Sequence, residues 1–494
     1  MAMASAAGRI GRSRAGAAAA ALSRGFKVER LDMFDVVNPA TGKVIGELLI
    51  ESKDEVVSKF EALAAGQKKW RSVPLVERRA MLERFNELLR LNMPVLAKTL
   101  STEMGKPIAQ AKNEVRATVD RVRFYLENYE KVLKESCVLE TSILKEKVVY
   151  EPLGVVANIS AWNYPYFVST NVFAAALLTG NAVLYKPSEH ATLTGMEITN
   201  LLYEAGVPKN VFAMTTGKGE TGAAVASLKG LGGLFFTGSN KTGLEIAKQA
   251  APNLVKLQLE LGGKDPVYVR ADVADVGAAA ASIADGAFYN CGQSCCSVER
   301  IYVDKRIYNE FLSAFIKNVM AFKVGDPLKP DTYIGPVARQ PHLPYLAAQV
   351  QDAISKGARA SSHTHLESNQ GGFYFPPTVL SDVNHTMDVM KEESFGPLIG
   401  IQAVENDAEA LALMNDTTYG LTASVYCKHN QDAENILREL DVGTGYWNCC
   451  DRVSPRLPWS GRRGSGLGVT LGMDGLRSFV KPKGIVFQSP SNKD

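Results

Sequence analysis

Residues 233–243 read Gly233-Leu234-Phe235-Phe236-Thr237-Gly238-Ser239-Asn240-Lys241-Thr242-Gly243. A short apolar run ends in a glycine turn and passes into residues that suit the start of a helix. Backbone N–H groups at such a start can hold a phosphate, although two glycines and a serine serve equally well as a plain turn. What decides the fold is that the pattern recurs. Residues 153–159 (Leu-Gly-Val-Val-Ala-Asn-Ile), 183–185 and 211–214 are also short apolar runs, as strands buried on both faces would be. Helical stretches such as 193–205 lie between them. Strand alternating with helix predicts an α/β fold with a doubly wound parallel sheet.

Each of these strands runs into a polar or glycine-containing turn: Trp162-Asn163-Tyr164-Pro165, Lys186-Pro187-Ser188-Glu189, Thr215-Thr216-Gly217-Lys218-Gly219, and the Gly238 turn. Open parallel sheets place ligands beyond the carboxyl ends of their strands. A lysine and an acid three apart, as in Lys186 and Glu189, can address ribose hydroxyls; a surface ion pair is the plain alternative.

Working outward, residues 53–133 carry Leu, Ala, Glu, Lys and Arg at helical spacing, and the spacing predicts helices interrupted at 92–94 and 104–107. A second α/β texture begins near Leu261. It predicts a strand over 300–303 and a helix from Ile307 with Phe311, Leu312, Phe315, Val319 and Met320 on one face, capped by Asp304. Residues 478–488 read as a β segment that pairs outside its own domain.

The chain has 494 residues, long enough for several domains, and no apolar run approaches the roughly 18 residues of a membrane helix. Residues 1–26 hold Arg9, Arg12, Arg14 and Arg24 and no acid, in an Ala- and Ser-rich background. That composition predicts a transit peptide, for the mitochondrial matrix ahead of the plastid; a disordered cytosolic tail is the plain alternative. Without those four arginines the body has 51 basic against 52 acidic residues, which speaks against nucleic acid or anionic lipid as partner. The seven cysteines are odd in number and include two vicinal pairs, against a secreted disulfide framework.

Two stretches carry candidate chemistry. In residues 256–263, Lys-Leu-Gln-Leu-Glu-Leu-Gly-Gly, leucine alternates with polar residues, so Glu260 and Gln258 share the face away from the leucines. The glycines permit close backbone approach. Residues 288–296, Phe-Tyr-Asn-Cys-Gly-Gln-Ser-Cys-Cys, hold three cysteines but no Cys-x-x-Cys pair and no histidine, so no metal site is expected. Vicinal Cys295 and Cys296 cannot bridge without strain. Buried inert cysteine is the common fate. The functional alternative is a thiolate nucleophile in a glycine-flanked turn.

The stretch 288–295 resembles the cysteine signature of the NAD(P)-dependent aldehyde dehydrogenase superfamily, and 259–264 resembles its glutamate signature. Trp162-Asn163-Tyr164-Pro165, Lys186-Pro187-Ser188-Glu189, Phe236-Thr237-Gly238-Ser239 and Glu393-Ser394-Phe395-Gly396-Pro397 resemble four more of its motifs, in family order, over residues 37–486. The resemblance implies that Cys295 attacks an aldehyde, that the Asn163 amide and the Cys295 N–H hold the oxyanion, and that Glu260 activates water to release a carboxylic acid. It also implies cofactor contacts from Lys186, Glu189, Trp162, Gly238, Ser239, Gly243, Glu393 and Phe395. Like-charge repulsion between Glu189 and a 2′-phosphate favours NAD over NADP.

The domains implied are a transit peptide (1–26), an NAD-binding domain (27–132 and 151–261), a catalytic domain (262–473) and a small β oligomerisation element (133–150 and 474–494). The partners implied are a small-molecule aldehyde and further copies of the chain, as a homodimer or homotetramer. Several positions depart from the family pattern. Pro458-Trp459-Ser460-Gly461 stands where Pro-Phe-Gly-Gly is usual. Asn171 stands where members selective for succinic semialdehyde carry arginine, which speaks against that substrate. Tyr164 and Trp459 build only part of an aromatic cage for a cationic aldehyde. The expected pocket, for aliphatic or aromatic aldehydes, is lined by Tyr164, Phe167, Asn171, Ser294, Cys296 and Trp459. Two other classes remain: a non-catalytic relative, which would be expected to lose Cys295 or Glu260, and a cysteine-dependent esterase.

Overall fold

The computed structural model describes residues 32–363 and 371–489. The expected transit peptide, and the last five residues of the expected oligomerisation element, lie outside them. The chain opens with a hairpin, β1 (Met33–Asn38) and β2 (Lys43–Leu49), then three helices, α1 (Lys53–Trp70), α2 (Leu75–Met104) and α3 (Ile108–Leu133). Ser52 and Glu55 form a reciprocal capping box at the start of α1. The break at 104–107 is real. The one expected at 92–94 is not, because α2 runs through Pro94. Pro94 lies on the exposed side, where the carbonyl it leaves unpaired can be solvated, while Leu89, Leu96, Ala97 and Leu100 bury the opposite face.

After β3 (Ser136–Glu140) and β4 (Leu144–Pro152) comes the first large sheet. Its strands are β5 (Val155–Ile159), β6 (Ala182–Lys186), β7 (Phe212–Met214), β8 (Gly233–Thr237) and β9 (Lys256–Glu260). Helices α4 (Pro165–Leu178), α5 (Thr192–Glu204), α6 (Gly219–Ala226) and α7 (Asn240–Ala250) connect them in turn. The five strands pair in parallel in the order β9-β8-β5-β6-β7. The winding reverses at β5, so the crevice beyond β5 and β8 is where such a sheet takes a ligand. Strands β5 and β6 are buried throughout, which explains their unbroken apolar runs.

The second sheet begins at Asp265, after the four residues 261–264 that follow β9. It is built from β10 (Asp265–Val269), α8 (Val276–Phe288), β11 (Val298–Asp304), α9 (Tyr308–Ala321), α10 (His342–Ser355), β12 (Arg359–Ser362), β13 (Thr378–Ser381), β14 (Leu398–Val404), α11 (Asp407–Asn415), β15 (Thr422–Tyr426), α12 (Asn430–Arg438) and β16 (Thr444–Trp447). Strand order is β12-β13-β14-β11-β10-β15-β16, parallel except at the β12 edge. Each large sheet has its own apolar core. Asp304 does not cap α9. It ends β11 and binds the backbone N and guanidinium of Arg306, and Ile307 stands at the cap position. The chain returns to the first sheet at β17 (Gly466–Leu467), which pairs antiparallel with β9 beside Glu260, inside the span 262–473. After α13 (Gly472–Arg477), β18 (Val480–Gln488) pairs with β4 and completes a three-stranded sheet with β3.

One long-range contact fixes the turn after β6. Helix α5 has no side-chain cap of its own, since Ala191 precedes it. The Glu103 carboxylate at the end of α2 supplies one, accepting bonds from Leu193 N (2.6 Å), Thr194 N (2.9 Å) and Thr194 Oγ1 (2.9 Å). Glu103→Ala would strand one buried and one half-buried N–H donor and cost about 2–3 kcal/mol. Urea unfolding of the variant beside the parent measures this directly.

Candidate active site

Beyond the ends of β5 and β9 lies a cavity of about 740 Å³, walled by α3, the 163–171 segment, the 294–296 turn and the 451–459 loop. Cys295, Glu260 and Asn163 all line it, as do the six residues expected to form the pocket. Three stretches far apart in sequence are thus brought to one space.

The cysteine turn is held in an unusual conformation. Asn290 and Cys291 have φ of 53° and 59°, and Gly292 follows at 69°. Three successive left-handed residues raise the 293–296 segment toward the cavity, where Cys295 is half-buried. Buried bonds hold the turn. Asn290 N donates to Gln110 Oε1 (2.9 Å), Asn290 Nδ2 to the Asn163 carbonyl (3.1 Å), and Gln293 Nε2 to the Asn290 carbonyl (3.1 Å). Asn163 Nδ2 donates to the Gln293 carbonyl at 3.2 Å, so one amide hydrogen is committed and the second is free for another acceptor. The Asn163 carbonyl also takes Lys106 Nζ at 2.7 Å, and Lys106 pairs with the Glu114 carboxylate in full burial.

Glu260 is 6% exposed and faces the same way as Gln258, as the alternation predicted. Its Oε1 accepts Gln258 Nε2 at 3.1 Å and the Thr470 hydroxyl. Burial pushes its carboxyl up to about 7, against the lowering effect of those two bonds and of the nearby Arg121 charge. A carboxyl titrating there can accept a proton from water near neutrality. On the far side of the cysteine turn, Ser294 Oγ and Cys296 Sγ both donate to Asp451 Oδ1, at 3.0 and 3.1 Å. Burial carries Asp451 up to about 7 as well.

The cofactor candidates form a second group along the crevice. Lys186 ends β6, and among the described residues its buried ammonium has one acceptor, the Pro187 carbonyl at 3.2 Å. Its remaining donors face no protein acceptor, and the Glu189 charge lies near. Ser239 caps α7 and accepts from Thr242 N at 3.3 Å, leaving the other first-turn N–H groups available. Gly238 N bonds the Glu260 carbonyl at 3.0 Å. Gly243 is buried where a methyl group would meet Leu261, so it serves helix–strand packing. Glu393 Oε1 accepts Gly263 N at 2.9 Å, and burial, then the Glu299 charge, raises its carboxyl to about 8. Phe395 meets Trp162 edge to face, ring centres 5.5 Å apart. An ammonium with spare donors, a nearby carboxylate and an open helix start suit the ribose and phosphate groups of a dinucleotide.

The residue pattern alone did not single out Arg121, Lys106, Glu114, Asp451 or Thr470. On α3 a signal existed: Glu114 and Arg121 stand seven apart on the face that buries Ala111, Val115, Thr118, Val122 and Tyr125. Charges on a core-facing stripe call for a reason. Asp451 and Thr470 lie in loops that carry no such periodicity. Among the described residues no helix is long and apolar enough to cross a membrane, and no three His, Cys, Asp or Glu side chains cluster as metal ligands would.

Residues 27–485 match the family described as aldehyde dehydrogenase family. Lactaldehyde dehydrogenase of Escherichia coli is 32% identical over 92% of this chain and 95% of its own. The crystal structure of that enzyme superposes with a TM-score of 0.89 at 30% identity, covering 94% of this chain and 97% of the other. Two further solved structures are similar over 93% of this chain and 95% of theirs. PnpE, in complex with nicotinamide adenine dinucleotide, has a TM-score of 0.90 at 29% identity, and an NADP-dependent enzyme of E. coli has 0.89 at 28%. The chain belongs to the aldehyde dehydrogenase family. It is an NAD(P)-dependent enzyme, and its reaction is oxidation of an aldehyde to the carboxylic acid.

The Lys106–Glu114 pair braces the Asn163 carbonyl. Lys106→Met would leave a buried carboxylate unpaired, at a cost of about 3–5 kcal/mol. Thermal unfolding tests this, and an unchanged midpoint would show that the pair only places Asn163.

Proposed function

We propose that Cys295 is the nucleophile, that Asn163 and the Cys295 N–H form the oxyanion site, and that Glu260 is the base for hydrolysis. The observation that carries this is the meeting of these three groups in one cavity, with the Glu260 carboxyl raised to about 7 by burial. The Cys295 sulfur adds to the aldehyde carbon, and the carbonyl electron pair moves to oxygen, where the free Asn163 amide hydrogen can meet it. Bound nicotinamide supplies the hydride acceptor. Loss of hydride from the tetrahedral carbon leaves a thioester on Cys295. Glu260 takes a proton from water as its oxygen attacks that thioester, the C–S bond breaks, and the acid leaves. Aldehyde, water and oxidised cofactor become carboxylate, reduced cofactor and two protons.

Lys186 and Glu189 would hold the adenosine ribose, Gly238, Ser239 and the α7 start the pyrophosphate, and Glu393 the nicotinamide ribose, with Trp162 and Phe395 bordering the ring. Gly243 contributes by seating α7. The Glu189 carboxyl stays below its usual range despite burial, owing first to the Lys186 charge, and an ionised group there repels a 2′-phosphate. This supports NAD over NADP. The first sheet with α1–α3 would form the cofactor domain (27–132 and 151–261) and the second sheet the catalytic domain (262–473). The acid-free leader supports import into the mitochondrial matrix.

Glu260→Gln would allow one round of reduced-cofactor formation and then stall with acyl-enzyme on Cys295. Rapid-mixing absorbance with intact-mass detection reads both, and release of acid at the parental rate would overturn the role of Glu260. The base must be ionised to act. Deacylation by the parent therefore rises as pH increases through about 7 and levels above it.

The segments 133–150 and 474–494 would join copies of the chain into a homodimer or homotetramer. Supporting this, β3 is exposed along its length, and Val138, Ile143, Val486 and Phe487 are exposed on the small sheet. Light scattering would find two or four chains per particle, and the double variant Val486→Asp, Phe487→Asp would reduce that number. A parent already at single-chain mass overturns the assembly.

A further inference from the structure

Arg121 is 3% exposed, projects from α3 into the wall of the cavity and has no carboxylate within ion-pair distance among the described residues. Among the described residues its one side-chain hydrogen bond runs from Nη1 to Asn171 Oδ1 at 3.1 Å, and its guanidinium lies over the Phe167 ring at 4.0 Å. Arginine carries five N–H donors and stays charged. The Nε and Nη2 atoms have no acceptor among the described residues, yet they are not sealed away like the Nε of Arg78, so they open onto the cavity that Arg121 lines. A buried cation without a counter-ion is costly unless something in the cavity completes it.

The rest of the cavity says which kind of group that is. Tyr164 and Phe167 stack nearly parallel, ring centres 5.6 Å apart. Lys106 Nζ sits over the Tyr164 ring at 3.6 Å, and Arg121 covers Phe167. Both rings already carry a cation of the protein's own, which removes them as a cage for a cationic substrate. Lys106 is neutralised by Glu114, whereas Arg121 is not. The other carboxylates on the wall have partners too: Asp120 binds Arg123, Asp285 takes the Tyr333 hydroxyl, and Asp451 takes Ser294 and Cys296. Only Glu127, exposed toward solvent, and Glu260 remain.

We propose that Arg121 is the receptor for a carboxylate borne at the far end of the aldehyde, so that this enzyme acts on ω-carboxylated aldehydes and releases dicarboxylic acids. Asn171 orients the guanidinium by taking Nη1, and the fork that remains is shaped for a carboxylate. The cation that the residue at 171 does not provide arrives from α3 instead. This rests on the assignment of Cys295 and Glu260 as the reaction centre.

The test compares kcat/KM for 4-oxobutanoate and 5-oxopentanoate with that for pentanal and hexanal, in the parent and in Arg121→Met and Arg121→Lys. The parent should prefer the carboxylated aldehydes. In Arg121→Met the carboxylated-to-neutral ratio should fall by about 10- to 100-fold, the range for losing a charge-assisted contact, mainly through KM, and Arg121→Lys should restore part of it. Calorimetric binding of glutarate to the parent, which requires neither turnover nor a variant, should be measurable. Neutral aldehydes oxidised as well as the carboxylated ones, or all substrates falling together in Arg121→Met, would overturn the receptor and leave the reaction centre standing. If no aldehyde turns over, the reaction centre fails, and glutarate binding by the parent still decides the fate of Arg121.

Discussion

The two halves of the molecule meet through the backbone at Gly262 and Gly263. Any Cβ at Gly263 would overlap the Cys295 carbonyl oxygen, and one at Gly262 would overlap the Glu393 carboxylate. This close approach lets β9 deliver Glu260 and, a few residues later, brings the chain past the cysteine turn into β10. It also sets Gly263 N against Glu393, so strand β9, the cysteine turn and the 393–395 loop share one point of contact. Residues with side chains there would push β9, the cysteine turn and the 393–395 loop apart.

Around that point the structure relies on buried charge more than is usual. Lys264, next to the glycines, pairs with Glu299 at 2.6 Å and donates to Ser394 Oγ at 3.1 Å. The Glu299 oxygens in turn accept Ser394 N and Phe395 N at 3.0 and 2.9 Å, which holds Phe395 at a φ of 48°. The Lys106–Glu114 pair does similar work on the other wall, with Glu114 also accepting Tyr166 N at 2.9 Å at the start of α4. Such pairs add little net stability over an apolar replacement, but each fixes a loop in one position. Arg121 stands apart because no carboxylate among the described residues lies within ion-pair distance of it, and the Glu260 and Glu114 charges act on it only from farther off.

The sequence made the first sheet legible because its strands are covered on both sides and so read as apolar runs, with the turns after them marked by Pro and Gly. Glu260 was legible for a similar reason: period-two alternation puts it on the Gln258 face, and the two do bond. From the residues alone β18 was legible as a strand in need of a partner, and the family resemblance grouped it with 133–150, the segment in which most of β4 lies. Pro94 and Asp304 misled for one shared reason, since local rules were applied where tertiary packing decides. The path of α2 is set by its buried Leu and Ala face, and the Asp304 carboxylate is claimed by Arg306. Arg121 and Asp451 could be reached only through a cavity whose walls come from segments more than 300 residues apart.

The cysteine turn shows what that assembly must accomplish. Left-handed backbone is tolerable for Asn290 and Gly292 but strained for Cys291, on the order of 1–3 kcal/mol. No bond within the turn outweighs that alone. The constraint comes from outside, from Gln110 of α3, from Asn163 before α4, and from Ala338 N, which donates to Gln293 Oε1 at 2.9 Å. The same Asn163 that fastens the turn offers its free amide hydrogen to the cavity. Strain in the turn and placement of the donor are therefore one arrangement, and the turn can keep its shape only while both halves of the molecule are packed against it.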